Sequence, residues 1–250
     1  MTADRFERFA ALHVPGTPLI LFNAWDAGSA GAVARAGARA IATGSASVAM
    51  ANGFGDGEAL PMEAALANAR RIVEAVDLPV TVDSEGGYAV APEAVARNVT
   101  ALSDTGAVGC NFEDQMVGRE GLHPIADQVA RIAAVRAAAG AAFFINARTD
   151  IFLKAPADEH DGAKAEAAIE RAHAYADAGA SGFFVPGLIG LALLERVVAA
   201  SPLPVNVMWK PGVPDTAALA GVGVARISHG PFPYLAAMAA LEAAAREAMG

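Results

Sequence analysis

The chain has 250 residues, a formal net charge of −9 and 54% apolar residues, a proportion that its many alanines inflate. That length suits one large α/β barrel or two small domains. The acidic balance, with no run of lysine or arginine, argues against nucleic acid as a main partner, because phosphate binding needs a basic stripe. A lone cysteine, Cys110, excludes an intramolecular disulfide and any multi-cysteine zinc or iron–sulfur centre, and a reducing, cytoplasmic setting is the simplest inference.

The chain opens on Met1-Thr2-Ala3-Asp4-Arg5-Phe6-Glu7-Arg8, which has no apolar signal core. The longest uncharged stretch, 178–194, holds Pro186 and several glycines, so it reads as strand, turn and helix and no membrane segment is expected. In chain order, short apolar runs recur at 19–22, 40–43, 79–83, 108–112, 142–146, 182–185, 204–208 and 224–227. Alanine-rich helical patterns lie between them at 61–76, 92–105, 125–139, 163–178 and 191–200, with a last one at 234–249. Pro61 and Pro92 suit first helical turns, and Gly106, Gly140 and Gly179 suit helix ends. Continuous apolar strands separated by helices imply a parallel sheet covered by helices. Eight such units predict a (β/α)₈ TIM barrel over 1–250 as a single domain, ahead of an open doubly wound sheet.

In such a barrel the chemistry sits at the carboxyl ends of the strands. Those ends read Asn23-Ala24-Trp25-Asp26, Thr43-Gly44-Ser45-Ala46-Ser47, Asp83-Ser84-Glu85-Gly86-Gly87-Tyr88, Asn111-Phe112-Glu113-Asp114-Gln115 and Asn146-Ala147-Arg148-Thr149-Asp150. Asn206 lies on strand seven, and strand eight ends in Ser228-His229-Gly230. Asp83, Glu85, Glu113 and Asp114 crowd two neighbouring strands, an arrangement that is costly unless a cation neutralises it. Oxygen-only donors suit Mg²⁺, which takes one or two direct carboxylates and keeps its waters. Any one of these acids alone would be read as a helix cap or a partner for lysine or arginine. Arg148 offers a fork for a carboxylate or a developing enolate oxygen; an ion pair with Asp150 or a rim acid is the alternative. Backbone N–H groups around Ser45 and Ala46 form a candidate anion cradle, although small residues also simply permit tight turns. Gly53-Phe54-Gly55-Asp56-Gly57 reads as a mobile loop carrying one acid. The five histidines have no zinc spacing, and Ser45 has no evident histidine partner for a hydrolase triad.

These segments together resemble the isocitrate lyase / phosphoenolpyruvate mutase superfamily over about residues 15–230. The resemblance rests chiefly on Asp83-Ser84-Glu85-Gly86-Gly87-Tyr88, Glu113-Asp114-Gln115 and Asn146-Ala147-Arg148-Thr149-Asp150, in that order at consecutive strand ends. It implies a (β/α)₈ barrel, Mg²⁺ (with Mn²⁺ as the alternative ion) and a substrate that passes through a metal-stabilised enolate of pyruvate. Asp83 would be the direct metal ligand, with Glu85, Glu113 and Asp56 acting mainly through bound waters. Backbone near Ser45 and Ala46 would hold the substrate carboxylate, Arg148 the 2-oxo oxygen or a neighbouring carboxylate, and Trp25 and Asn206 are further substrate-side candidates. The family is usually a tetramer with an exchanged terminal helix, so a homo-oligomer, dimer or tetramer, is expected.

The departures bear on substrate. Where lyases of this superfamily carry a Lys-Lys/Arg-Cys-Gly-His loop, this chain reads Gln115-Met116-Val117-Gly118-Arg119-Glu120-Gly121-Leu122-His123-Pro124. Gly121 stands at the cysteine position, and Glu120 and His123 are the candidates for the replacement acid. Gly118 and Gly121 suggest that 115–124 is a lid. The lysine- and asparagine-bearing loop of the phosphonate mutases is absent too, and strand six ends in Val185-Pro186-Gly187 without a polar group. The leading expectation is a Mg²⁺-dependent enzyme, of lyase or decarboxylase type, that cleaves a carbon–carbon bond of a small 2-oxo or 2-hydroxy acid. Phosphonopyruvate hydrolysis or phosphonomutase-like P–C chemistry, and a non-catalytic metal- and carboxylate-binding barrel, are the alternatives.

Overall fold

Eight strands, each parallel to its neighbours, run in the order β1-β8-β7-β6-β5-β4-β3-β2 in a computed structural model that describes the backbone of residues 2–250 and the side chains of residues 4–250. A bridge between Ala24 and Thr43, with Ala24 N–H donating to the Ala42 carbonyl at 2.8 Å, brings the ends of the sheet together into a (β/α)₈ barrel. The elements are α1 (Thr2–Ala11), β1 (Leu19–Leu21), α2 (Ala27–Arg35), β2 (Ile41–Ala42), α3 (Ser45–Ala51), α4 (Met62–Ala75), β3 (Val80–Asp83), α5 (Pro92–Ser103) and β4 (Gly109–Glu113). They continue with α6 (Ile125–Ala139), β5 (Phe144–Arg148), a 3₁₀ turn (Ala157–Glu159), α7 (Gly162–Asp177), β6 (Gly182–Phe184), α8 (Leu191–Ala200), β7 (Val205–Met208), α9 (Thr216–Gly221), β8 (Arg226–Ser228) and α10 (Phe232–Met249).

Alternation along the strands divides two cores. Outward residues such as Ile41, Val80, Val82, Cys110, Phe112, Ile145, Phe183 and Val207 pack against buried helix residues including Ile72, Val99, Ile132 and Leu194. Each such side chain, fully buried, contributes roughly 1.5–3 kcal/mol. The lower interior is closed by Phe9 of α1, which packs with Leu19, Leu21, Ala40, Ala42, Val108 and Phe144. Above that apolar floor the interior turns polar. Residues in register share a face, so Asp83, Asn111 and Asn146 stand side by side, as do Glu113, Arg148, Phe184, Asn206 and Arg226. The strands read as mainly apolar runs because both faces are buried; Asp83, Asn146, Glu113 and Arg148 fall at or beyond the ends of those runs, whereas Asn111, Asn206 and Arg226 lie within them.

Four helices have no counterpart in the expected pattern. Asp26 starts α2 through a capping box with Ser29, a signal of the kind that marks helix starts. The segment 43–47, expected as an anion cradle or a tight turn, runs into the first turn of α3 (Ser45–Ala51); its small residues are as compatible with a helix as with a turn. α1 and α9 complete the set. None of the helices described is long and apolar enough to cross a membrane. The last helix stands apart: of α10 only Pro233 is buried, and Leu241 is 63% exposed. On the outer face of the barrel a groove of about 550 Å³ lies between β1 and α2, lined by Ile20, Phe22, Val33 and Ala36, with Phe22 48% exposed.

Candidate active site

The carboxyl ends of the strands surround a cavity of about 130 Å³. Asp56 and Asp83 border one side, Arg148 another, and Asn111 and Ser228 also face it, while Leu153, Phe184, Met208 and Pro231 supply the apolar wall. This is the position where barrel enzymes place their chemistry.

Asp83 ends β3. Its Oδ2 accepts from the Ser45 N–H at 3.2 Å and the Ser45 hydroxyl at 3.0 Å, while Oδ1 is buried without a partner. A buried carboxylate oxygen with no donor is costly unless a cation or water meets it. Glu85 follows in a left-handed backbone conformation, φ 49°, and its Oε2 accepts from the Glu58 N–H at 2.7 Å. Glu58 itself accepts from the Tyr88 N–H at 2.7 Å, so two carboxylates pin the loop around Glu58 to the turn after β3. Burial and then the charge of Asp83 push the Glu85 carboxyl up to about 7. Burial, and then Asp83, also raise Asp56.

Glu113 ends β4 and is buried. Its Oε2 lies 2.8 Å from Arg148 Nη1 and its Oε1 accepts from Gln115 Nε2 at 2.6 Å. Burial moves its carboxyl upward, and Arg148 draws it back. Arg148 is gripped on its other edge by Asp150, with Nε–Oδ1 2.6 Å and Nη2–Oδ2 3.0 Å. The ion pair weighed as the alternative role for Arg148 is therefore present, to both an adjacent acid and a rim acid, and it aims the guanidinium along the cavity wall.

Several expected members stand elsewhere. Asp114 does not join the acids, because alternation turns it outward. It accepts from Tyr175 Oη at 2.7 Å, Arg171 Nη1 at 3.0 Å and the Asp150 N–H at 3.0 Å. Glu85 borders a small space beside Asp83 rather than the main cavity. Ser45 and Ala46 both line the cavity, but Ser45 gives its N–H and hydroxyl to Asp83. Trp25 packs edge-on against Tyr234, 5.3 Å between ring centroids, outside the cavity. Asn206 lies inside the barrel, bonded to Ser228 Oγ at 3.2 Å, and does not reach the wall. Glu120 is exposed, and His123 borders a separate cleft of about 420 Å³ with Gln115 and Arg119. Sequence reasoning placed Asn111 and Ser228 at strand ends without giving them a role, and passed over Phe184 and Arg226. Period-two spacing from Glu113 would have found Asn111, and the same spacing links Arg226 to Ser228.

The residues present fit a Mg²⁺ ion. Asp83 has an orphaned buried oxygen, and Asp56 and Glu85 border the spaces on either side of it, although no group of three or more acid, histidine or cysteine side chains close enough to hold an ion by themselves occurs among the described residues. That arrangement suits an ion that touches one carboxylate and keeps its waters.

The family model for phosphoenolpyruvate phosphomutase matches residues 9–249. The chain belongs to that family, within the phosphoenolpyruvate mutase / isocitrate lyase superfamily. A crystal structure from Burkholderia cenocepacia J2315, described provisionally as a phosphonomutase, is 51% identical with a TM-score of 0.96, covering 99% of this chain and 100% of that one. An uncharacterised Mycobacterium tuberculosis H37Rv protein is 37% identical over 239 residues, 95% of this chain and 87% of its own length. The 2-methylisocitrate lyase of Escherichia coli K12 is 30% identical over 214 residues, covering 78% of this chain and 70% of the lyase. Further relatives carry the name oxaloacetate decarboxylase. Members of this superfamily are lyases or mutases, which supports an enzymatic role for this chain.

Proposed function

We propose that this chain is a Mg²⁺-dependent enzyme that cleaves a carbon–carbon bond of a small 2-oxo or 2-hydroxy acid through an enolate. The reading is carried by one observation: Asp83, whose Oδ1 is buried without a partner, lines a small cavity together with Arg148. Bound there, Mg²⁺ would supply a Lewis acid for the oxygen on which negative charge develops. Asp83 would hold the ion directly, and Glu85, Glu113 and Asp56 would hold its waters. Arg148, fixed by Asp150 and Glu113, would orient the substrate's oxygens without having to reorganise during reaction. Leu153, Phe184, Met208 and Pro231 would pack against the carbon skeleton of the substrate. Decarboxylation suits this site, since solvent can deliver the final proton and none of the loop residues of 115–124 lines the cavity.

The test is pyruvate release from a panel of 2-oxo diacids and acylpyruvates, with Mg²⁺ and with chelator. Turnover should appear only with the ion, and Asp83→Asn should lower kcat/KM at least about 100-fold and weaken Mg²⁺ binding. Negligible turnover in both conditions, or unchanged Mg²⁺ affinity in Asp83→Asn, would remove the proposal.

The relative of 51% identity favours a second reading, P–C chemistry on phosphonopyruvate. Pyruvate or phosphate release from that compound, with none from the 2-oxo diacids, would replace the first reading. We read the chain as cytoplasmic, since buried Cys110 needs no oxidising compartment. We read it also as a homo-oligomer in which α10 of a second copy covers the groove along β1, since the chain carries both an uncovered apolar helix and an uncovered apolar groove.

A further inference from the structure

Arg226 is completely buried inside the barrel, and no carboxylate lies within ion-pairing distance of it among the described residues. It reaches across from β8 to β4, where its Nη2 donates to Asn111 Oδ1 at 3.0 Å; its Nε lies 3.4 Å from Ser228 Oγ. A guanidinium has donors only, so the atom of Asn111 that faces it has to be the amide oxygen. Asn146 Nδ2 donates to that same oxygen at 2.9 Å. Both lone pairs of Oδ1 are then taken, and the Asn111 NH₂ group is turned away from Arg226. Asn111 lines the cavity, beside Asp83 in register, and its NH₂ donates to no group among the described residues. Two other side-chain donors on that wall are committed: the Ser45 hydroxyl to Asp83 at 3.0 Å, and Asn23 Nδ2 to the Thr43 carbonyl at 2.8 Å.

An NH₂ group repels a cation and attracts an anionic oxygen. We propose that Asn111 is a substrate-binding residue that donates to the oxygen turning negative in the reaction, and that Arg226 is the positioning residue that keeps its amide facing the cavity. The inference rests on the enolate reading above. A buried guanidinium without an acid is a cost to stability. Here its charge lies directly behind the Asn111 carbonyl, where it polarises the amide and strengthens the N–H groups as donors. A donor fixed before the reaction begins is worth more than one that must turn to meet the charge.

The experiment is calorimetric titration of the full-length protein, with saturating Mg²⁺, by oxalate, a small dianion shaped like the pyruvate enolate. Asn111→Asp keeps acceptors for Arg226 and Asn146, so its melting temperature should not fall, yet it offers the cavity an oxygen in place of NH₂. Asn111→Ser is uncharged and too short to reach the cavity. Both should bind oxalate at least about tenfold more weakly than the parent protein. Affinities within about twofold of the parent would overturn the role of Asn111. Arg226→Gln should weaken oxalate binding alone but add nothing in the Asn111→Ser background; additive losses would overturn the positioning role, and Arg226→Lys replaces it in the same cycle if the glutamine variant does not fold. Failure of the parent protein to bind oxalate would overturn the enolate reading and this inference with it. Tight parental binding with unaffected variants would overturn this inference alone.

Discussion

Four residues in series decide where the Arg148 guanidinium on the cavity wall points. Asp114 accepts from the Asp150 N–H, Asp150 clasps Arg148 with two bonds, and Arg148 reaches Glu113. Asp114 also holds Arg171 and Tyr175 of α7, so a side chain outside the barrel interior anchors one inside it. Asp114→Asn keeps an acceptor for the Asp150 N–H but leaves Arg171 without its acid. It should cost about 2–4 kcal/mol in denaturant unfolding, because removing one partner of a buried pair strands the other. The same variant should lower kcat of the proposed reaction more than it raises KM, since Arg148 loses alignment rather than charge. Stability equal to the parent's would show that Asp114 anchors nothing. The pair Glu113 and Asp114 also marks a limit of reading by residue type. Two adjacent acids look equivalent in sequence, yet strand alternation sends one to Arg148 and the other to α7.

At the scale of elements, all eight strands lie within about two residues of the apolar runs, and α6 and α8 coincide with their expected patterns. Strand runs were legible because burial on both faces demands mainly apolar residues. The helices that escaped are α1, α2, α3 and α9: glycines interrupt α2, α3 and α9 have only seven and six residues, and α1 is missed although its apolar residues do follow the 3.6-residue period. α1 matters most for stability, since it plugs the floor of the barrel. Just past it, His13 stacks on Phe144 at 4.2 Å between ring centroids, with Nδ1 on the Phe9 carbonyl at 2.9 Å and Nε2 buried without a partner. Burial, then the charge of Arg226, lowers its pKa to about 3. The unfolded chain therefore binds a proton near pH 6.5 that the folded chain refuses, so stability contributed by neutral His13 is present above about pH 6.5 and is lost as pH falls toward 3. His13→Phe removes this titration. Between pH 7 and pH 5 the parent protein should lose about 2–4 °C more in melting temperature than His13→Phe; parallel curves for the two would contradict the assignment.

At the scale of the whole molecule, α10 and the β1 groove are the unfinished surfaces. α10 has only Pro233 buried and leaves Leu235 and Leu241 exposed, and the barrel leaves Phe22 48% exposed, so a second copy has apolar surface to cover. Sedimentation velocity should give a multiple of the 25.3 kDa chain mass, and Leu241→Glu together with Leu235→Glu should shift it toward one chain. A parent protein sedimenting as a single chain would end that proposal. The periodicity of apolar residues was enough to determine a parallel eight-stranded barrel, and residue types at the strand ends were enough to point to oxygen chemistry around Asp83, because both signals are local. Three matters were decided only by tertiary structure: the pairing of Arg148 with Glu113 and Asp150, the removal of Asp114 from the acids, and the meeting of Arg226 with Asn111. Each depends on which face of a strand turns inward, and the last on closure of the barrel, which brings β8 opposite β4 although 115 positions of chain separate the two residues.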